Sequence, residues 1–192
     1  MIHYKKYPSI SKILKATESE ESKAVLERWN NSLPPGEAEK IKQAALKRGI
    51  TIDESISGYN VDGICSNQVL NNYLSQYKIL AIEEDCFSDK YQYWGRFDQI
   101  LLKGEKKIIN DFKGSGKPKQ KQWLNDNPIQ LSAYYFALLE QGKAIDYGQL
   151  SYLVDGKDEV QKFVFTPGEL QKYFNEFLQR VEKYHLLENA LR

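Results

Sequence analysis

Residues that bind soft metals or form disulfides are scarce in this chain of 192 residues, which has two cysteines and two histidines. Cys65 and Cys86 lie far apart in the sequence, and His3 and His185 lie near opposite ends. These counts exclude a zinc cage, a four-cysteine iron–sulfur cluster and a disulfide framework, and they argue against a His-dependent nucleophilic triad. A bound metal would therefore be held by oxygen ligands, as Mg²⁺, Mn²⁺ and Ca²⁺ are.

Long apolar runs and an excess of one charge are also absent. No segment approaches the roughly 20 apolar residues of a membrane span, and the polar first residues lack the apolar segment of an export signal. With two unpaired cysteines, this composition predicts a soluble cytoplasmic protein without a membrane partner. Lysines and arginines number 27 against 26 aspartates and glutamates, so a polyanion-binding surface would need local concentration of positive charge.

The predicted elements fall into two parts. Helical spacing of apolar residues dominates positions 1–75, whereas β-branched and aromatic residues between turn residues predict strands from position 77 onward. We expect strands at 77–87, 91–103, 107–113, 147–154 and 159–165, and helices at 10–14, 18–29, 37–48, 52–57, 63–74, 127–141 and 167–187. Gly49 is expected to end the helix at 37–48. The predicted fold class is α/β or α+β, a small mixed sheet flanked by helices, in one domain over 1–192.

A tight hairpin is predicted to bring two carboxylates together. Gly104 and Glu105 can form a two-residue type II′ loop, in which Gly104 takes the position that needs positive φ. The resulting register places Asp98 directly opposite Asp111, with Cβ atoms about 4.5–5.5 Å apart. A slip of one residue would undo this geometry.

Two more charged residues are expected on the same face. Strand alternation places Lys113 two residues beyond Asp111, with Arg96 opposite it. The opposed carboxylates Asp98 and Asp111 repel each other, and a divalent cation between them removes that penalty. The alternative is a surface hairpin with ordinary polar residues. Against it, three residues of this face are apolar and place the charged group at a core boundary: Ile100, Leu102 and Ile109.

These residues resemble a known family. The order and spacing of three motifs are similar to those of the PD-(D/E)XK nuclease superfamily: Gly95-Arg96-Phe97-Asp98, then Asp111-Phe112-Lys113, then Gln130 with Tyr134 four residues on. Within it, the chain resembles the exonuclease branch that includes the mitochondrial genome maintenance exonuclease and its phage relatives. Further segments share this resemblance, at 7–10, 17–29, 117–119 and 127–130.

The resemblance implies a restriction-endonuclease-like core and a metal-dependent DNA exonuclease. It would act on single-stranded DNA ends in recombination, replication or degradation, with Mg²⁺ or Mn²⁺, in a bacterial or phage-infected cell. Asp98, Asp111 and the backbone carbonyl of Phe112 would be metal ligands, and Lys113 would be the catalytic lysine. Two alternatives stay open: a catalytically weak single-strand-binding or recombination accessory module, and a structure-specific endonuclease.

The resemblance also assigns Gln130 and Tyr134, one helical turn apart, to the border of the active site. Gln130 has an alternative role as a capping-box residue after Asn127, and Tyr134 as a core aromatic. The branch usually carries a histidine in the pattern G-x-x-x-H-E, where this chain has Asp53. Asp53 is thus a candidate metal ligand, with a helix N-cap as the alternative.

A glycine- and lysine-rich segment follows Lys113. Positions 113–121 hold four lysines and no acidic residue, and the Gly-Ser-Gly stretch within them can bring backbone N–H groups near phosphates. Trp123 offers a stacking surface for an unpaired base, and the alternative is a solvated loop. The candidate nucleic-acid-binding residues are Arg96, Lys117, Lys119, Lys121 and Trp123.

Two further acidic residues lie on the strand that precedes the hairpin. Of Glu83 and Glu84, only one can face the site.

Overall fold

The computed structural model of the protein describes residues 3–190, except for the side chains of residues 60–62. The elements, in chain order, are a 3-10 helix at His3–Lys6, α1 Ile10–Ala16, α2 Glu20–Ser32, α3 Glu37–Asp62, α4 Gln68–Leu74, β1 Lys78–Ile82, β2 Asp85–Ser88, β3 Tyr93–Arg96, β4 Gln99–Lys103, β5 Lys106–Ser115, a 3-10 helix at Lys121–Trp123, α5 Asn127–Glu140, β6 Tyr147–Val154, β7 Gln161–Phe165 and α6 Pro167–Ala190. None of these helices is long and apolar enough to cross a bilayer.

Five strands form a mixed sheet in the order β1-β4-β5-β6-β7. The pairs are antiparallel except for β5 and β6, which run parallel because α5 crosses over between them. Strands β2 and β3 form a separate antiparallel pair. The predicted small mixed sheet, flanked by helices and preceded by a helical segment, is confirmed.

Helices cover both faces of the five-stranded sheet. On one face, α1, α5 and α6 enclose a core that includes Ile100 and Ile109. On the other face, α3 and α4 pack over Leu101, Ile108 and Phe112. Successive residues of a strand point to opposite faces, so β5 directs the residues at 109, 111 and 113 toward the first face.

Two predicted strands are each divided in the structure. The strand expected at 77–87 breaks at Glu83, which has φ 45°, and the strand expected at 91–103 breaks at Phe97 and Asp98. The two breaks lie side by side, because the Glu83 N–H donates to the Asp98 carbonyl and the Phe97 N–H donates to the Glu84 carbonyl. Here the chain passes between the two sheets.

Helix α3 does not end at Gly49, as the sequence predicts. It continues to Asp62 and ends at Gly63, which has φ 70°. A glycine inside a helix costs about 1 kcal/mol, and the burial of Ile52 and Ile56 against the sheet offsets this cost. Asp53 therefore lies within a helix, which excludes its alternative role as an N-cap.

Candidate active site

The β4–β5 hairpin places Asp98 next to Asp111. The two strands pair in the register that the sequence predicts, with Gln99 opposite Asn110, and Gly104 in the turn has φ 60°. Asp98 lies one residue before β4, at the bend that follows β3, and Asp111 lies one residue beyond the last cross-strand pair. The turn thus brings two carboxylates together at the end of the hairpin.

Asp98, Asp111 and Lys113 form a compact charged group. The Phe112 N–H donates a 2.7 Å hydrogen bond to Oδ2 of Asp98. Nζ of Lys113 lies 2.6 Å from Oδ2 of Asp111, which is 2% exposed. At this distance the contact is an ion pair, so the Lys113 ammonium group supplies the positive charge that the buried Asp111 carboxylate needs. Within the described residues, Asp98 has no ion pair of its own.

The electrostatics of the group favour a cation. Burial, and then the negative charge of Asp111, raise the pKa of Asp98 to about 7. Burial disfavours the ammonium form of Lys113, but the charges of Asp111 and Asp98 outweigh it and raise the pKa of Lys113 above its ordinary value. Lys113 therefore stays protonated, and the ionised carboxylate pair needs further positive charge.

Helix α3 brings another carboxylate near the group. It packs closely on β5, since a β-carbon at Gly114 would lie 3.0 Å from Cβ of Arg48. Asp53, one turn and a half further along α3, is largely open to solvent. Partial burial and then the charge of Glu83 raise the pKa of Asp53, while Lys113 lowers it. The charge of Asp53 in turn raises the pKa of Asp98, so Asp53 lies near the carboxylate pair.

Of the two predicted glutamates, Glu83 lies near Asp53, and its backbone N–H donates to the Asp98 carbonyl. Glu84 instead forms an ion pair with Lys143, at 3.0 Å. In the part of the chain that the structure describes, no three side chains of histidine, cysteine, aspartate or glutamate are grouped to hold a metal. Asp53 therefore acts on Asp98 through its charge and does not complete a preformed cage.

Gln130 and Tyr134 of α5 border the carboxylate pair. Nε2 of Gln130 donates a 3.0 Å hydrogen bond to the Tyr134 hydroxyl, so the Gln130 amide binds this tyrosine. The N-cap of α5 is Asp126, and its side chain makes no capping hydrogen bond. Tyr134 is 4% exposed, and burial, followed by the charges of Asp111 and Asp98, raises its pKa. Tyr134 is thus both a core aromatic and a neighbour of the site.

Sequence reasoning assigned no role at the site to three residues that lie around it. Tyr152 pairs with Lys113 across β5 and β6, and its hydroxyl accepts a 2.5 Å hydrogen bond from Nδ2 of Asn127. Gly95 lies against Tyr134, since a β-carbon at Gly95 would be 2.6 Å from Cε1 of that ring. The Gly-Arg-Phe-Asp motif could have indicated the close approach at Gly95, because glycine has no side chain. The position of Tyr152 depends on the parallel register of β5 and β6, which the sequence does not reveal.

Arg96 does not lie opposite Lys113, which corrects the sequence prediction. It belongs to β3 in the two-stranded sheet, where it pairs with Asp85. Its Nε lies 3.0 Å from Oδ1 of Asp85, and its side chain is exposed. The prediction assumed an unbroken strand from position 91, and the break at Phe97 and Asp98 turns Arg96 away.

The lysines beyond β5 have different surroundings. Nζ of Lys121 lies 2.6 Å from Oε1 of Glu169, so an acidic partner neutralises it. The backbone of Lys119 is fixed by two hydrogen bonds with the Gln161 side chain. Within residues 3–190, neither Lys117 nor Lys119 has a carboxylate at ion-pair distance. Trp123 is 52% exposed, so the segment keeps two unneutralised lysines and one open aromatic ring.

Two carboxylates and a lysine thus lie together at one end of the β4–β5 hairpin in a mixed sheet. The profile of the PD-(D/E)XK nuclease superfamily matches residues 24–191. The chain belongs to this superfamily. No curated protein matches the chain.

One solved structure shares the fold over most of the chain. A protein from Eubacterium rectale, assigned as an exonuclease, is 12% identical with a TM-score of 0.55, over 76% of this chain and 68% of that one. An alkaline exonuclease from Laribacter hongkongensis is 10% identical with a TM-score of 0.35, over 83% and 90%. A protein named SSO0001 is 18% identical with a TM-score of 0.37, over 60% of this chain. The chain spans 48% of the length of SSO0001.

Proposed function

We propose that the protein is a metal-dependent DNA exonuclease that hydrolyses phosphodiester bonds at single-stranded ends, in recombination, replication or DNA degradation. The observation that carries this proposal is the Asp98–Asp111 carboxylate pair, with the Lys113 ammonium group 2.6 Å from Asp111. The group lies at the end of a hairpin, beside the hydrogen-bonded side chains of Gln130 and Tyr134. Membership of the nuclease superfamily supplies the class of reaction.

The donor set suits Mg²⁺ or Mn²⁺. Asp98 and Asp111 offer hard oxygen ligands, and the pKa of Asp98, raised by burial and by the charge of Asp111, points to a need for positive charge beyond that of Lys113. The backbone carbonyl of Phe112 is our candidate for a third ligand, and Asp53 for a further one. When bound, the ion would lower the pKa of a water molecule and act as a Lewis acid on the phosphate.

Lys113 supplies the second part of the chemistry. Its raised pKa keeps the side chain protonated, so it serves as a donor and a positive charge and not as a general base. An ammonium group held beside the carboxylates can stabilise the negative charge that develops on the phosphate oxygens. Lys117, Lys119 and Trp123 can contact the adjoining nucleotides through phosphate and base. We therefore propose DNA as the partner, read through its backbone.

The preference for single-stranded ends rests on the helical segment. Helix α2 buries none of its residues, and α3 packs on β5 next to Lys113 through Gly114. We propose that these two helices narrow the approach to the carboxylates, which admits a strand end and excludes a duplex.

The test is digestion of labelled single strands with Mg²⁺ or Mn²⁺, in linear and closed circular form. We expect the protein to degrade the linear strand and leave the circle intact. Lys113→Ala should reduce cutting by about 100-fold or more while the strand still binds. Lys103→Ala, an exposed lysine of the same hairpin, is the matched control and should cut like the parent.

Three results would change the assignment. Unchanged cutting by Lys113→Ala would remove this lysine from the mechanism. Degradation of circles would favour a structure-specific endonuclease. Binding without any cutting by the parent protein would favour a single-strand-binding accessory module.

A further inference from the structure

The start of the chain forms a second concentration of positive charge. Positions 3–17 hold four lysines and no acidic residue. The structure folds this segment against β3, where Ser9 forms a bridge with Trp94 and the Trp94 N–H donates to the Pro8 carbonyl at 3.2 Å. The lysines of this segment are therefore fixed to the sheet that precedes Asp98.

Three of these lysines line a cleft of about 610 Å³ between the N-terminal segment, the β2–β3 turn and the end of α6. Its volume falls in the range of pockets that hold small organic ligands. Gln92 and Asn189 add amide groups to the wall. The charged residues of its lining are Lys5, Lys6, Lys12 and Glu188, and its phenol and indole rings are Tyr7, Trp94 and Tyr184.

Aromatic rings hold the lysine side chains in place. Contact with a ring face attracts an ammonium group and restricts its motion, so less conformational entropy is lost when an anion binds. The distances from Nζ to the ring centroid are 3.4 Å for Lys5 and Trp94, 5.6 Å for Lys6 and Tyr7, and 5.4 Å for Lys12 and Tyr184.

Acidic neighbours neutralise this charge only in part. Lys5 forms a 2.6 Å ion pair with Asp85. Nζ of Lys12 lies 3.7 Å from Oε1 of Glu188, and both of these side chains are exposed to solvent. Within the described residues, Lys6 has no carboxylate at ion-pair distance and is exposed. Several ammonium groups along one cleft suit a ligand with repeated negative charges, which is the character of a phosphodiester backbone.

The cleft adjoins the carboxylate site. Trp94 lines the cleft, and the next residue of β3, Gly95, packs on Tyr134. Because neighbouring residues of a strand point to opposite sides, the cleft and the carboxylate site lie on two sides of the same strand. A nucleic-acid strand that reaches both must therefore pass around β3 over several nucleotides.

We infer that this cleft binds the phosphodiester backbone of the strand whose end occupies the carboxylate site, several nucleotides from the bond that is cut. The inference rests on the proposed function, because that function places a strand at the site.

The experiment measures binding of fluorescent single-stranded DNA of about 6 and about 20 nucleotides, with EDTA present so that no cutting occurs. The variant is Lys6→Ala with Lys12→Ala, and the control is Lys78→Ala with Lys172→Ala, two exposed lysines elsewhere. For the longer strand, we expect about tenfold weaker binding and a slope of log Kd against log salt reduced by about 1.4. Binding of the shorter strand should not change. Lys6→Glu should weaken binding of the longer strand further.

Equal loss for the two lengths, or no loss beyond that of the control pair, would overturn the inference. Thermal unfolding of each variant checks that the cleft lysines do not alter the fold. Digestion of labelled single-stranded DNA by the parent protein with Mg²⁺ is a separate readout. Its absence would refute the nuclease proposal, whereas the length-dependent loss concerns the cleft alone.

Discussion

The backbone amide of Phe112 donates a 2.7 Å hydrogen bond to the carboxylate of Asp98. This bond joins the bend between β3 and β4 to the strand that carries Asp111. It favours the ionised form of Asp98, yet the pKa of Asp98 remains raised because burial and the charge of Asp111 act more strongly. The fold thus holds two carboxylates together against their repulsion.

This relationship predicts how stability depends on pH in the absence of divalent ions. The pKa of Asp98 is about 7 in the folded protein against an ordinary value of 3.8, so between these values the folded state binds a proton that the unfolded chain has released. The contribution of Asp98 to stability is therefore present at low pH and is lost as pH rises toward 7. The free energy of unfolding should fall on the order of 2 kcal/mol between pH 5 and pH 8.

Urea unfolding at several pH values, with EDTA, measures this effect. Asp98→Asn should remove most of the decrease, and Asp158→Asn, an exposed aspartate, should keep it. Added Mg²⁺ should stabilise the parent more at pH 8 than at pH 5, because it binds the ionised pair. The same pH dependence in Asp98→Asn as in the parent would show that another group is responsible.

Gly95→Ala should impair cutting through Tyr134. The added β-carbon would lie 2.6 Å from Cε1 of Tyr134 and from Cδ1 of Ile10, so the tyrosine ring must leave its present position beside the site. We expect cutting to fall about 10- to 100-fold and stability to fall by about 1–3 kcal/mol. Gly168→Ala, where nothing lies within 4 Å, is the control. If Gly95→Ala cuts DNA at the rate of the parent protein, the position of the Tyr134 ring does not affect the reaction.

The sequence predicts the β4–β5 hairpin correctly because Gly104 determines its turn, and the turn determines its register. This prediction depends on local chemistry, as does the capping box at the start of α6, where Glu169 Oε2 accepts from the Thr166 N–H at 2.9 Å. Arg96 is misplaced because the break after it depends on hydrogen bonds with Glu83 and Glu84, which come from another part of the chain.

Long-range packing explains the other differences. Gly49 carries the local signal of a helix end, but contacts of α3 with the sheet continue the helix past it. The position of Tyr152 beside Lys113 depends on the crossover through α5, which sets the register of two parallel strands. No short motif encodes such a register, so this part of the site becomes visible only in the folded chain.

Tyr152→Phe should lower kcat by about tenfold and leave KM nearly unchanged. The hydroxyl accepts a hydrogen bond from Asn127, and this bond ties the start of α5 to the strand position next to Lys113. Asn127→Ala should have a similar effect, and the double variant should lose little more, because both changes remove the same bond. Tyr147→Phe on the same strand is the control. Additive losses would show that the two residues act separately.

Lys117 and Lys119 should contribute to DNA binding more than Lys121 does. The first two have no acidic partner in the described part of the chain, whereas Lys121 is paired with Glu169. That pairing, together with hydrogen bonds from Thr166, lowers the pKa of Glu169 to about 2. Lys117→Ala with Lys119→Ala should therefore reduce the salt slope of single-strand binding by about 1.4.

Anisotropy titrations with short and long strands separate this segment from the N-terminal cleft. Because the segment directly follows Lys113, its loss should weaken both lengths, whereas loss of the cleft lysines should affect only the longer strand. Lys121→Ala should leave the salt slope almost unchanged and instead lower the free energy of unfolding by about 0.5 kcal/mol, through the lost ion pair. A salt slope that falls equally for all three lysines would mean that Glu169 does not neutralise Lys121 in the DNA complex.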